Sequence, residues 1–118
     1  MLKRAEIVKR AFLKTFGVMK GMALADRMKE KDAWDVYYCL RHYPGGVDAL
    51  VQVFMPQMAN RLVREGLEKI GGKFESPNHV GPKWVADFEE IADREARDRL
   101  QRDAYERVAA FLLKLGIR

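Results

Sequence analysis

The chain has 118 residues, with 22 Lys and Arg against 17 Asp and Glu and a formal net charge of +5. This length supports one hydrophobic core and excludes two domains, and 48% apolar with 33% charged residues excludes a disordered chain. No apolar run approaches the roughly 18 residues of a membrane span, and the single cysteine, Cys39, excludes an intrachain disulfide and suits a reducing cytoplasm.

In chain order, residues 2–16 are the first predicted helix, with Leu2, Ala5, Val8, Phe12 and Phe16 three to four apart and lysines and arginines between them. MLKRAEIVKRAF has no continuous apolar core and so does not read as a secretory signal; its basic, amphipathic character suits a transit peptide, but the helical period runs unbroken into the chain. Gly17 stops or bends this helix, and a second is predicted over 18–28, weakened by Gly21 in its interior. A third covers 32–43. There Ala33, Val36, Tyr37 and Leu40 make one stripe, and Trp34, Tyr38 and Cys39 make much of the remainder apolar, which is the pattern of a buried helix. Pro44-Gly45-Gly46 ends it.

Residues 47–55 form the next predicted helix, and Pro56 opens another over 57–71, closed by Gly71-Gly72. The stretch KFESPNHVGP has no period and reads as irregular, followed by a short helix carrying Trp84, Val85, Phe88 and Ile91. The last element, 93–115, shows Leu100, Ala104, Val108, Leu112 and Leu115 in register, with Asp93 as its cap and Gly116 as its stop. No segment alternates as a strand does, and none has a hairpin signal, a βαβ rhythm or a repeat. The expectation is an all-α chain, a single compact domain over 1–118 of about five to seven helices.

Charge is uneven along it. The first 31 residues carry nine basic and three acidic side chains, whereas residues 32–91 carry six and nine. A basic front end attracts phosphates, whether of nucleotides or of RNA, although a solvated helix face has the same composition.

Most familiar chemistry is missing. There is no phosphate-cradling glycine motif and no Cys/His cluster with metal spacing. The only serine, Ser76, sits beside a proline without a nucleophile elbow. His42 and His79 have no partner motif and read as surface or loop histidines, and Cys39 reads as core. Asp87 and Glu89 stand two apart, so on a helix they point in different directions and make a poor metal pair.

The remaining concentration of charge against apolar bulk is Met19 to Leu40, which contains Lys20, Arg27, Lys31, Asp32 and Asp35. One reading is local: Asp32 caps the helix that follows, and Lys31 pairs with Asp35 four residues on. The other is a basic cluster for a phosphate, beside a carboxylate that positions a cation. The order Lys20-Gly-Met-Ala23-Leu24, then Arg27, then Lys31-Asp32, then Asp35-Val36-Tyr37-Tyr38 resembles the distal motif of the AbiEii/AbiGii toxin family of nucleotidyltransferases. The resemblance covers about residues 12–43, with the helical remainder a compatible C-terminal region.

The resemblance implies nucleotidyl transfer, in which an N-terminal α/β part with a Gly-Ser loop and an Asp-x-Asp pair holds Mg²⁺ and the nucleoside triphosphate. By analogy Lys20 and Asp32 are the catalytic pair: Lys20 contacts the triphosphate, and Asp32 orients a basic or substrate group. Arg27, Lys31 and Asp35 support substrate binding. This chain departs from the family in having neither a Gly-Ser dipeptide nor an Asp-x-Asp. The expectation is therefore a helical part, inactive alone and with no metal ligands of its own, completed by an α/β partner chain that brings the Mg²⁺ and the nucleotide. The competing expectation is a stand-alone module that binds protein or RNA through its basic front end, or self-associates through an apolar face.

Overall fold

The computed structural model describes residues 29–117. The helices predicted over 2–16 and 18–28 lie outside them. Among the described residues there are five α-helices and no strand, in the order α1 (Glu30–His42), α2 (Gly46–Phe54), α3 (Arg61–Lys73), α4 (Val80–Phe88) and α5 (Arg94–Lys114), with a 3-10 turn, Met55–Ala59, between α2 and α3. No helix among these residues is long and apolar enough to cross a membrane.

The fold is built on α5, whose inward face of Leu100, Ala104, Val108, Phe111 and Leu112 is buried. Asp93 caps it, with its Oδ2 accepting from the Ala96 N–H at 2.9 Å. Gly116, at φ +85°, turns the chain back so that the Ile117 N–H reaches the Leu112 carbonyl at 2.8 Å and the Gly116 N–H that of Leu113 at 3.0 Å. This paired arrangement satisfies the last carbonyls of the helix and returns Ile117 to the core.

Helix α1 packs on both α4 and α5. Its Ala33, Val36, Cys39 and Leu40 are at most 1% exposed, as expected of a helix apolar on most sides. It begins two residues earlier than its sequence pattern suggests. The Asp32 Oδ2 accepts from the Lys29 N–H at 3.0 Å, so Asp32 closes the first turn from inside the helix rather than capping from outside.

The Pro44-Gly45-Gly46 turn places α2 across the C-terminal half of α5. There Phe54 meets Phe111 edge to face, with ring centroids 5.6 Å apart at 90°, and Lys114 reaches Asp48 at 2.9 Å.

Two boundaries differ from expectation. Pro56 opens the 3-10 turn, and α3 starts after Asn60, whose Oδ1 accepts from the Leu62 and Val63 N–H groups at 2.9 and 3.3 Å. The irregular stretch ends sooner than its prolines suggest, because α4 begins at Val80 and holds Gly81 and Pro82 in its first turn, where a missing N–H leaves no helical bond unmade. Ile91 falls outside α4. Glu90 adopts φ +54°, its N–H bonds the Asp87 carbonyl at 3.0 Å, and the Ile91 N–H bonds that of Ala86 at 3.3 Å. The loop before α4 is held to α5 by the buried Gln101, which donates to the Pro77 carbonyl at 2.8 Å.

Candidate functional site

Of the five residues singled out in the sequence, Lys20 and Arg27 lie outside the described residues. Lys31, Asp32 and Asp35 share the first two turns of α1. The Lys31 Nζ lies 3.0 Å from the Asp35 Oδ2 on the helix surface, and the hydrogen bond and charge of Asp35 hold the lysine ammonium above its usual range. Asp32 is engaged by the Lys29 N–H. Each of these charges therefore has a local partner: the Lys31–Asp35 pair is as expected, whereas Asp32 stands inside the first turn instead of preceding it.

The surroundings of those turns were less legible. A cleft of about 470 Å³ opens at the start of α1, lined by Lys29, Glu30 and Lys31 on one side and by Trp84 and Phe88 of α4 on the other. The two aromatic residues stand four apart, so α4 presents both rings on one face. The Phe88 ring also rests on Trp34 with centroids 5.2 Å apart. From there a ladder runs along α1: Trp34 to Tyr38 at 4.9 Å and Tyr38 to His42 at 4.5 Å. The Trp34 indole N–H donates to the Glu89 Oε2 at 3.0 Å, which fixes its ring. The Lys73 Nζ stands 6.0 Å from the centroid of the Trp84 ring. Lys29 and Lys31, beside Glu30 and with Trp84 and Phe88 opposite, give the open cleft both cationic and aromatic walls, the chemistry that suits an anionic group carrying a flat ring.

A second polar cluster joins α1 to α5. The Tyr37 hydroxyl donates to the Asp103 Oδ2 at 2.6 Å and accepts from Arg41 at 2.9 Å, while the Arg107 Nε donates to the same Asp103 oxygen at 2.9 Å. Burial, reinforced by the Asp103 bond and charge, pushes the Tyr37 phenol up to about 12. The group is a part-buried clamp in which the Asp103 carboxylate takes the Tyr37 hydroxyl and Arg107, while Arg41 bonds the phenol oxygen. Tyr37 and Asp103 stand 66 residues apart, so no local pattern could have announced it.

Asp87 pairs with Arg97, and Glu89 turns away to Trp34, so these two carboxylates diverge as their spacing implies. Among the described residues no group of three or more His, Cys, Asp or Glu side chains is placed to hold a metal ion. Cys39 is buried in the core, where desolvation, with Asp35 nearby, pushes its thiol up to about 12. His42 stacks on Tyr38, and the His79 backbone caps α4.

Comparison with protein-family models, with curated proteins and with solved structures finds no match to this chain.

Proposed function

We propose that this chain is a helical nucleotide-binding part of a nucleotidyltransferase, which presents the start of α1 to a transfer site completed by a separate α/β domain or chain and does not catalyse transfer alone. The observation that carries the reading is the cleft of about 470 Å³ at Lys29–Lys31, facing Trp84 and Phe88. It opens where the lysine- and aspartate-bearing motif enters its helix, and its volume falls within the 300–1,000 Å³ typical of small-molecule sites. In this scheme the rings receive the base, and Lys29 and Lys31, with Lys20 and Arg27 from the preceding segment, receive the phosphates. Asp32 and Asp35 hold the first turn of α1 and the Lys31 ammonium in place. The metal carboxylates, and the Mg²⁺ that neutralises charge on the transferred group, belong to the other part.

The test is direct binding of ATP, GTP, CTP and UTP to the full chain, read by tryptophan fluorescence. Trp84→Ala and Lys31→Ala are each expected to weaken the best ligand at least ten-fold with the helical circular dichroism unchanged. Absence of binding by all four at millimolar concentration sinks the proposal.

Single-stranded RNA is the second reading. It is favoured by the nine basic side chains of the first 31 residues together with the two ring faces. It predicts binding that weakens steeply with added salt and that free nucleotides do not displace.

A further inference from the structure

A second concavity lies at the far end of α5, lined by none of the residues that line the cleft at the start of α1. It has a volume of about 560 Å³ and is walled by the end of α3 and the C-terminal half of α5. Gly71 lets the two helices approach closely, since a Cβ there would stand 2.9 Å from the Leu112 Cδ1, while a Cβ on Gly72 would meet nothing within 4 Å. The helices thus touch at Gly71 and leave the groove open at Gly72. Ala109, Leu113 and Ile117 give the groove apolar walls, and Tyr105 adds a ring. Leu113 is 71% exposed, more than any other large apolar side chain among the described residues. A single exposed leucine is ordinary, but one on the lip of an apolar groove offers contact surface to a ligand.

The groove also carries charge of one sign. The charged side chains lining it, among the described residues, are Glu68 and Glu75. The ion pairs of the described residues lie elsewhere, so neither carboxylate is already matched by one of them. A ligand that suits this groove brings an apolar body to the walls and a cation to the rim, and the face of the Tyr105 ring attracts a cation as well. Size and symmetry separate a small molecule from a protein segment. The volume of about 560 Å³ falls within the 300–1,000 Å³ typical of small-molecule sites, whereas two turns of a helix 10 Å across fill about 850 Å³. A second copy docked about a two-fold axis would bring its own acidic rim to the same place, where like charges oppose each other.

We infer that the groove between α3 and α5 is a binding site for a small organic cation, an amine carried on an apolar ring or branched body. The body lies against Ala109, Leu113 and Ile117, and the ammonium group meets Glu68 and Glu75. This assignment is independent of the nucleotide cleft, whose ligand is an anion, and stands or falls separately.

Probes of one shape and different charge test it. Protonated naphthylmethylamine, neutral naphthylmethanol and anionic naphthoate are each titrated into the full-length chain, and the methyl resonances of Ala109, Leu113 and Ile117 are followed by NMR. The amine is expected to move all three in a saturable way at millimolar concentration. It should bind about ten-fold or more tightly than the alcohol, because a hydrogen bond to a charged group is the stronger kind, and the naphthoate should bind more weakly than either. Glu68→Gln with Glu75→Gln should remove the preference for the amine while the alcohol still binds, with the helical circular dichroism unchanged. Ala109→Trp, which fills the groove, should abolish binding of all three; should it fail to fold, the glutamine pair carries the test. Equal affinity for the amine, the alcohol and the naphthoate overturns the assignment. So does the absence of saturable shifts with the amine, whatever else fills the groove. A chain that sediments as a dimer until Leu113→Lys separates it shows a second copy in the groove and overturns the assignment as well.

Discussion

Alanine is favoured over glycine by about 1 kcal/mol inside a helix, so propensity alone predicts that Gly71, Gly72 and Gly81 would all gain stability on replacement. Their surroundings separate them. A Cβ at Gly72 meets nothing within 4 Å, whereas one at Gly71 meets the end of the Leu112 side chain at 2.9 Å. At Gly81 it would stand 2.6 Å from the Lys73 carbonyl oxygen and 2.7 and 2.8 Å from two atoms of the Phe74 ring. A leucine methyl can swing aside. A backbone carbonyl and a ring only 2% exposed cannot move without shifting the α3–α4 connection. Overpacking of this kind costs about 1–3 kcal/mol. After the propensity gain, Gly81→Ala should destabilise by up to about 2 kcal/mol. Gly72→Ala should stabilise by about 0.5–1 kcal/mol, and Gly71→Ala should be close to neutral. At roughly 3–5 °C per kcal/mol for a chain of this size, Gly72→Ala and Gly81→Ala should melt to either side of the wild type, with several degrees between them. Urea and thermal unfolding followed by circular dichroism read both. If Gly81→Ala exceeds the wild type, the close approach of α4 to the end of α3 is wrong, and with it the placement of Trp84 in the cleft.

Two further outcomes follow from local geometry. The Tyr37 phenol is pushed up to about 12 from the ordinary 10.0 of a free tyrosine, so below about pH 10 its preference for the fold is fully present. As pH rises from about 10 to 12 the unfolded chain loses this proton first, and up to about 2–3 kcal/mol of stability goes with it. Denaturation midpoints between pH 9 and 11 should fall more steeply for the wild type than for Tyr37→Phe, and identical slopes would refute the assignment. Glu90 holds the left-handed conformation that ends α4 at φ +54°, a site where glycine relieves about 1–2 kcal/mol of steric cost and returns part of it as entropy. Glu90→Gly should therefore raise the thermal midpoint by a few degrees, and a lower midpoint would refute the strain.

The helices were legible wherever apolar spacing and a stop signal agreed. Leu100 to Leu112 with Asp93 before and Gly116 after fixed α5 almost to the residue, and Pro44-Gly45-Gly46 separated α1 from α2. Legibility failed where one residue type serves two ends. Prolines mark irregular chain in general yet fit a first helical turn, so Pro82 hid the start of α4. Asn60 is a strong capping residue, but the continuous apolar pattern from Met58 to Leu62 masked the boundary it makes. Glu90 gave no signal, because a left-handed stop is normally written with glycine. For the candidate site, the motif charges were legible and the cleft was not. Trp84 and Phe88 signalled only a short helix, and the tertiary packing of α4 on α1 brings them opposite Lys31.

Whether the local partners of those charges compete with a ligand is a question of magnitudes. An exposed i, i+4 pair such as Lys31–Asp35 contributes about 0.3–0.5 kcal/mol, whereas a hydrogen bond to a charged group contributes about 1.5–3 kcal/mol. Under the proposed function, a pair this weak does not block the Lys31 ammonium from a phosphate. Asp32 differs, because its Oδ2 closes the first turn of α1 through the Lys29 N–H at 3.0 Å. Asp32→Ala should cost about 0.5–1 kcal/mol from the lost bond and the lost charge at a helix start. Asp32→Asn keeps an acceptor oxygen and should recover about half of that loss or more. If Asp32 acts only through the turn, nucleotide affinity follows the same order, weak in Asp32→Ala and near wild type in Asp32→Asn. If Asp32→Asn is fully stable and yet loses the nucleotide, the carboxylate meets the ligand's own groups, and its role as a support for α1 is refuted.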